Sequence, residues 1–382
     1  MHQLKKIRIE GFRRLHCVEV EMRPMMVMIG ANGVGKSSLL DAIRLLSASA
    51  GGSMNRALSD MGGITDVLTR GRSEGIKLAA EMKVEGHPPL EYSLHIEAKG
   101  QTYRIAQETL SQSHEGYAEP FKHIEARYGD VRYFDTDDKG LVRPTWEYNP
   151  LESALSQVPK MFKQPEELRR LLGSVTQYHV LDVGSGARVK LPQQMKPADL
   201  PGADGEDLVP FLYSLREGNP ARYEVIEDTL RSAFPGFESL GFPPVAAGML
   251  SMTWRERHFN SPLYMHQLSE GTLRFLWLIS LLQSPALSTV TMIDEPEVSL
   301  HPELLSLLAD LMREASERTQ VIVATHSDRL VRFIEPREVI VMDIDEEGFA
   351  SAKWADSLSL DQWLEEYSLD EVWRLGRMGG RS

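Results

Sequence analysis

Gly30-Ala31-Asn32-Gly33-Val34-Gly35-Lys36-Ser37 decides how the rest of this chain is read. The spacing is G-x-x-x-x-G-K-[ST], a glycine-rich turn closed by a lysine and a hydroxyl. Before it, Met25-Met26-Val27-Met28-Ile29 is an apolar run of strand length. After it, Leu39, Leu40, Ile43 and Leu46 recur at helical spacing. A turn between a strand and a helix N-terminus presents backbone N–H groups and the positive end of the helix dipole to a phosphate. Lys36 is placed for β- and γ-phosphates and Ser37 for Mg²⁺. Gly30, Asn32, Gly33, Gly35 and Ser38 complete the expected nucleotide-binding set.

Three stretches far downstream fit the same ligand. Residues 290–293 form a buried-strand run that ends in Asp294-Glu295. Acids at the C-terminal end of such a strand face the crevice where α/β sheets bind ligands. Asp294 is expected to hold Mg²⁺, and Glu295 to orient and deprotonate the attacking water. Residues 320–324 form a second such strand, ending in Thr325-His326-Ser327, which places His326 for a γ-phosphate contact. Leu268-Ser269-Glu270-Gly271 precedes an apolar helix over 272–282, with Ser269 as N-cap, so its N-terminus is open to an anion.

In this order the parts resemble the SMC/RecF/OLD branch of ABC ATPases, in its small bacterial "AAA family ATPase" group. Lys6-Ile7-Arg8-Ile9-Glu10-Gly11-Phe12-Arg13-Arg14-Leu15 is similar to that branch's L-x-I-x-N-F-R strand, with Gly11 where the family often has Asn. The signature reads Ser-Glu-Gly-Thr, not the Ser-Gly-Gly-Gln of transporters, and Glu297-Val298-Ser299-Leu300-His301-Pro302 has the "LHP" form of the D-loop. The resemblance implies an α/β fold: an ABC-type P-loop ATPase head with a mixed sheet, an antiparallel β-layer and a helical lobe carrying the signature. It implies ATP and Mg²⁺ as cofactors and hydrolysis to ADP and phosphate. It also implies a homodimer in which two heads sandwich two ATP molecules, Ser269 and Gly271 of one facing the γ-phosphate of the other. A separate nuclease or toxin-like effector and a role in bacterial anti-phage defence follow from the same resemblance. The family's Gln-bearing loop has no assignable counterpart.

Composition narrows the rest. The 382 residues carry a formal net charge of −13, which disfavours a dedicated nucleic-acid binder, because that affinity comes mostly from phosphate neutralisation. Lys5, Lys6, Arg8, Arg13, Arg14, Arg56, Arg70 and Arg72 read as solvated faces, with a local nucleic-acid patch as the alternative. The acidic balance also suits docking onto a basic protein. A single cysteine, Cys17, excludes an internal disulfide and fits the cytoplasm. Met1-His2-Gln3-Leu4-Lys5-Lys6 lacks an apolar run, so no signal peptide is expected, and no membrane span either.

Along the chain, three segments are expected. Residues 1–150 are a phosphate-loop lobe with a β-layer, including strands at 76–84, 90–98, 103–105 and 131–134. Residues 151–267 are mainly helical, with helices at 208–215 and 221–233 and a mobile Gly/Pro-rich loop at 184–202. Residues 268–382 carry the signature helix, the acidic pair, His326 and a tail, and return to the first lobe. Asp135–Gly140 and Asp343–Gly348 start like calcium loops but lack the required ligands, and the second reads as a strand-to-strand turn. The tail after an acidic helix at 361–367 reads as a frayed end, or else as a docking segment anchored by Trp373. The functional alternatives are a RecF-like DNA-repair ATPase, a transporter subunit and a non-hydrolysing scaffold.

Overall fold

A computed structural model describes residues 3–84, 86–114, 116, 119–135 and 137–379. Packing divides the chain into two compact units, where the sequence reading drew three segments. The first holds residues 1–177, 336–366 and 372–382, and the second holds 178–335 and 367–371.

The first unit is built on an eight-stranded antiparallel sheet. Its spatial order is Leu15–Glu21, Gln3–Phe12, Gly75–Lys83, Leu90–Lys99, Thr102–Gln112, Phe121–Arg127, Asp130–Asp135 and Gly140–Val142. Alternation fixes its buried face: Ile76, Leu78, Ala80 and Met82 are buried, whereas Lys77, Ala79 and Glu81 between them are not. Gly11 lies near the end of the Gln3–Phe12 strand at φ 77°, and a Cβ there would stand 2.3 Å from the Gly75 carbonyl oxygen. That close approach explains glycine at a position where the resemblance suggests asparagine.

Several strands escape a pattern reading, two of them long members of this sheet. Thr102–Gln112 extends well past the expected 103–105, and Phe121–Arg127 was not expected at all. In the first, Glu108 and Gln112 occupy buried positions and interrupt the apolar alternation. Glu108 is fully enclosed and accepts from Ala154 N (2.6 Å), Leu155 N (2.8 Å) and Tyr92 Oη (3.0 Å), holding the first turn of the Ala154–Gln157 helix. Burial pushes its carboxyl up to about 7, against the pull of those three donors. The unfolded chain ionises this group in the ordinary carboxylate range, so between that range and about pH 7 the folded state binds more protons. Stability should therefore fall as pH rises through this window and level off above it. Melting temperatures from about pH 4.5 to about pH 8 should show that slope in the wild type and lose it in Glu108→Gln. An equal slope in both would remove Glu108 as its source.

The strand of the phosphate loop, Met25–Ile29, is buried at every residue and runs parallel to Val339–Ile344, which pairs antiparallel with Ala350–Trp354. The helix Lys36–Gly51 packs on Lys163–Gly173 and Met54–Asp60. The turn between Val339–Ile344 and Ala350–Trp354 is tied by Asp345 Oδ1, which accepts from Glu347 N (3.0 Å) and Phe349 N (2.9 Å). It is the strand-to-strand turn expected for residues 343–348. Thr136, in the other rejected calcium loop, lies outside the described residues.

The second unit carries a parallel pair, Val290–Asp294 and Gln320–Ala324, in register from Val290↔Gln320 to Asp294↔Ala324. The crossover helix Pro302–Ser316 has Pro302 in its first turn and packs against Glu270–Leu282. Helices Leu208–Gly218 and Pro220–Ala233 match the expected pair closely. A three-stranded sheet, Phe237–Gly241, Thr253–Glu256 and Leu263–Tyr264, closes over Trp254. Residues 184–202 are tied down rather than loose. The buried Gln193 amide donates to Gly205 O (2.6 Å) and accepts from Val209 N (2.8 Å), and Gln193–Gln194 pairs with Met249–Leu250.

The C-terminal expectation also needs correction. Only Asp361–Leu364 of the acidic segment is helical. Trp373 and Met378 are buried, at 6% and 4% exposure, and Arg377 lies over the Trp363 ring at 4.7 Å. A side chain buried in its own fold is not a docking anchor, and Trp373 and Met378 pin the tail on either side of the exposed residues 374–377. Gly380-Arg381-Ser382 lie outside the described residues. Among the described residues, no helix is long and apolar enough to cross a membrane.

Candidate functional site

In the first unit the phosphate loop leaves Ile29 and turns on three glycines with positive φ: Gly30 (150°), Gly33 (77°) and Gly35 (114°). A Cβ on Gly30 would meet the Met342 carbonyl at 2.3 Å, and one on Gly35 would stand 3.1 Å from Ala350 Cβ, so both need glycine. Gly33 has nothing within 4 Å and is exposed with Asn32 and Ser37. Lys36 is buried at 5% exposure, and its Nζ donates to Gly30 O (2.6 Å) and Ala31 O (3.0 Å). The helix Lys36–Gly51 has no side-chain cap and no acid in its first turn. Gly30, Asn32, Gly33, Gly35, Lys36, Ser37 and Ser38 thus lie on one turn around an uncapped helix N-terminus, a set suited to phosphate. These residues fit ATP, and the Ser37 hydroxyl suits Mg²⁺, a hard cation that prefers oxygen ligands.

In the second unit, Asp294 and Glu295 end one strand and His326 follows the next. Glu295 sits at φ 49°, a left-handed conformation uncommon outside glycine, while its N–H bonds Ala324 O at 2.8 Å. This turn aims the side chain so that Oε1 lies 4.0 Å from His326 Nε2. Asp294 is partly buried, and burial followed by the neighbouring Glu295 charge raises its carboxyl above the usual range, with His179 and His326 opposing. A cation at Asp294 would relieve both causes, so its oxygens fit Mg²⁺ as well.

The signature segment lies in the same unit. Ser269 caps Glu270–Leu282, its Oγ accepting from Thr272 N at 3.1 Å, and it is exposed. Gly271 has a reason to be glycine within its own chain: a Cβ there would meet Ser299 O at 2.6 Å. Ser299 is itself at φ 63°, so the D-loop presses its backbone onto the signature helix.

Three residues near these motifs were not singled out by sequence reasoning. His179 Nδ1 stands 3.7 Å from Asp294 Oδ2. Arg274 joins the signature helix to the D-loop through Ser299 Oγ and donates to Leu181 O at 3.2 Å. Glu297 is largely buried and accepts from Thr325 Oγ1 at 2.5 Å, and burial raises its carboxyl. No motif spacing marks His179, because the segment after Tyr178 lies over a hundred residues before Asp294. Arg274 could have been suspected as a charge within the apolar helix.

Comparison with known proteins bears on the whole chain. The protein-family profile described as "AAA domain, putative AbiEii toxin, Type IV TA system" matches residues 25–332. A comparison with curated proteins found no match. Among solved structures, an SMC head bound to the C-winged helix domain of ScpA aligns at TM-score 0.55 and 15% identity, covering 92% of this chain and 97% of that one. An Smc head domain with an extended coiled coil, bound to the C-terminal domain of ScpA from Pyrococcus furiosus, gives 0.54 and 12%, covering 96% and 100%. At such identities the likeness speaks for the fold, the ABC-type P-loop head expected from the motifs. With the profile spanning most of its length, the chain belongs to the AAA-domain family of the AbiEii, type IV toxin–antitoxin description, and has the fold of an SMC-head ATPase.

Proposed function

We propose that this protein is an ATP-binding and ATP-hydrolysing switch that closes as a homodimer and governs a separate effector in bacterial anti-phage defence. The observation that carries hydrolysis is the placing of His326 beside Glu295, 4.0 Å apart at the ends of adjacent parallel strands. Glu295 accepts the proton of the attacking water, and His326 donates to the γ-phosphate. The phosphate-loop N–H groups and Lys36 hold the phosphates. Ser37 and Asp294 would hold Mg²⁺, which would supply charge neutralisation on the phosphate oxygens. Ser269 and Gly271 of one protomer bind the γ-phosphate held by its partner, an arrangement that the resemblance to SMC/RecF/OLD heads supports. The description of the family as a toxin of type IV toxin–antitoxin systems supports the defence setting. The acidic surface suits a basic protein partner.

The DNA-repair alternative is weakened at four of the eight basic candidates. Lys6 pairs with Glu19 (2.6 Å), Arg8 with Glu10 (2.6 Å), Arg13 with Asp41 (2.5 Å) and Arg72 with Glu347 (3.6 Å). Each carries its own counter-charge, which weakens a phosphate-binding patch.

Ser269→Arg tests the composite site. Bulk at this exposed position should spare ATP binding and reduce turnover to background. The substitution also removes a helix cap, worth about 1 kcal/mol. Ser269→Ala removes the cap and the hydroxyl that would reach the partner's γ-phosphate but adds no bulk, so it should lose less turnover than Ser269→Arg. Comparing ATP affinity and turnover for both separates bulk from loss of the hydroxyl. Full activity of Ser269→Arg would refute the sandwich. Recovery of the neighbouring gene product in a pull-down tests the effector assignment, and its absence with and without ATP would contradict it.

A further inference from the structure

We infer that Glu297 is a positioning residue: it fixes the loop that carries His326, and thereby the histidine's place beside Glu295. This rests on the hydrolytic reading above. Glu297 Oε2 is enclosed with no hydrogen-bond partner, an expensive state for a carboxylate so close to the protein surface. What the group gains is a grip on the next strand's loop. Its Oε1 accepts from Thr325 Oγ1 at 2.5 Å, and Thr325 Oγ1 in turn accepts from Ser327 N at 2.9 Å. Burial raises the Glu297 carboxyl, and the Thr325 hydroxyl and the backbone N–H of His326 pull against it. The main chain just past His326 is therefore tied, through the Thr325 hydroxyl, to Glu297. Ser327 Oγ then accepts from Leu330 N at 3.3 Å, anchoring the loop to the short helix Asp328–Val331.

At its other end Glu297 belongs to the turn that aims Glu295, where Val298 N donates to Glu295 O at 3.2 Å. The acid and the histidine arise from different strand ends, and Glu297 is the link that sets one against the other. A misplacement of about 1 Å between such groups costs about a hundredfold in rate.

The test measures kcat and KM for ATP in four variants of the full chain. Thr325→Val is close to isosteric and keeps the fold while removing the hydroxyl. It should lower kcat by about 10- to 100-fold with KM within about twofold of wild type. Glu297→Ala should do the same, and the double variant should fall no further than the worse single one, since both cut one link. Thr325→Ser restores the hydroxyl and should recover most of kcat. Unchanged kcat in Thr325→Val, an equal loss in Thr325→Ser, additive losses in the double variant, or a rise in KM that accounts for the loss would each overturn the inference. Wild-type turnover with unaffected variants defeats this inference alone. A wild type without turnover defeats the hydrolytic reading and this inference with it.

Discussion

Lys36→Ala protein is expected to bind ATP on the order of a hundredfold more weakly than wild type, and to lose turnover with it. Charge-assisted hydrogen bonds to phosphate are worth about 1.5–3 kcal/mol, and about 1.4 kcal/mol is a tenfold change in affinity. The ammonium sits at the mouth of a loop whose carbonyls, Gly30 O and Ala31 O, already orient it. Alanine also leaves those two carbonyls without this donor, so a melting curve should accompany the titration. A folded variant with unchanged ATP affinity would show that residues 30–37 are not the nucleotide site.

Glu295→Gln is the second large effect. The amide keeps the shape, the strained φ and the N–H bond to Ala324 O, but it cannot take the water's proton. Loss of a general base costs about 10²- to 10⁴-fold in kcat, whereas ATP affinity should hold. The same change removes the second largest cause of the raised Asp294 carboxyl, which should move back toward the usual carboxylate range while burial still holds it up. Near-normal turnover would remove Glu295 as the base. Lost ATP binding would assign the residue a structural role instead.

How much of this could be read from residues alone depended on where the chemistry is local. The phosphate loop is one contiguous turn between a fully apolar strand and an amphipathic helix, so its place in the fold follows from eight residues and their flanks. The Val290–Asp294 and Gln320–Ala324 strands were legible for the same reason: unbroken apolar runs that end in polar residues. Elements with a mixed pattern were not. Glu108 at an inward position concealed most of Thr102–Gln112, and Phe121–Arg127 alternates too weakly to stand out. The tail read as a frayed end, with Trp373 as a docking anchor in the alternative, because composition near a terminus says nothing of the surface it meets. His179 and Glu297 gain meaning only through neighbours distant in sequence, Asp294 for the first and Thr325 for the second. Gly271 carries two explanations, a ligand's approach and the Ser299 carbonyl at 2.6 Å from a Cβ, and sequence offered only the first.

The central claim is that ATP binding closes two copies of this chain and hydrolysis reopens them. Light scattering on Glu295→Gln protein, with and without ATP and Mg²⁺, tests it most directly, because this variant should hold ATP without consuming it. The expected result is a monomer of 43.0 kDa without nucleotide and twice that mass with it, the shift being absent in Lys36→Ala. A mass that does not respond to ATP, in a variant shown by titration to bind it, would contradict the switch.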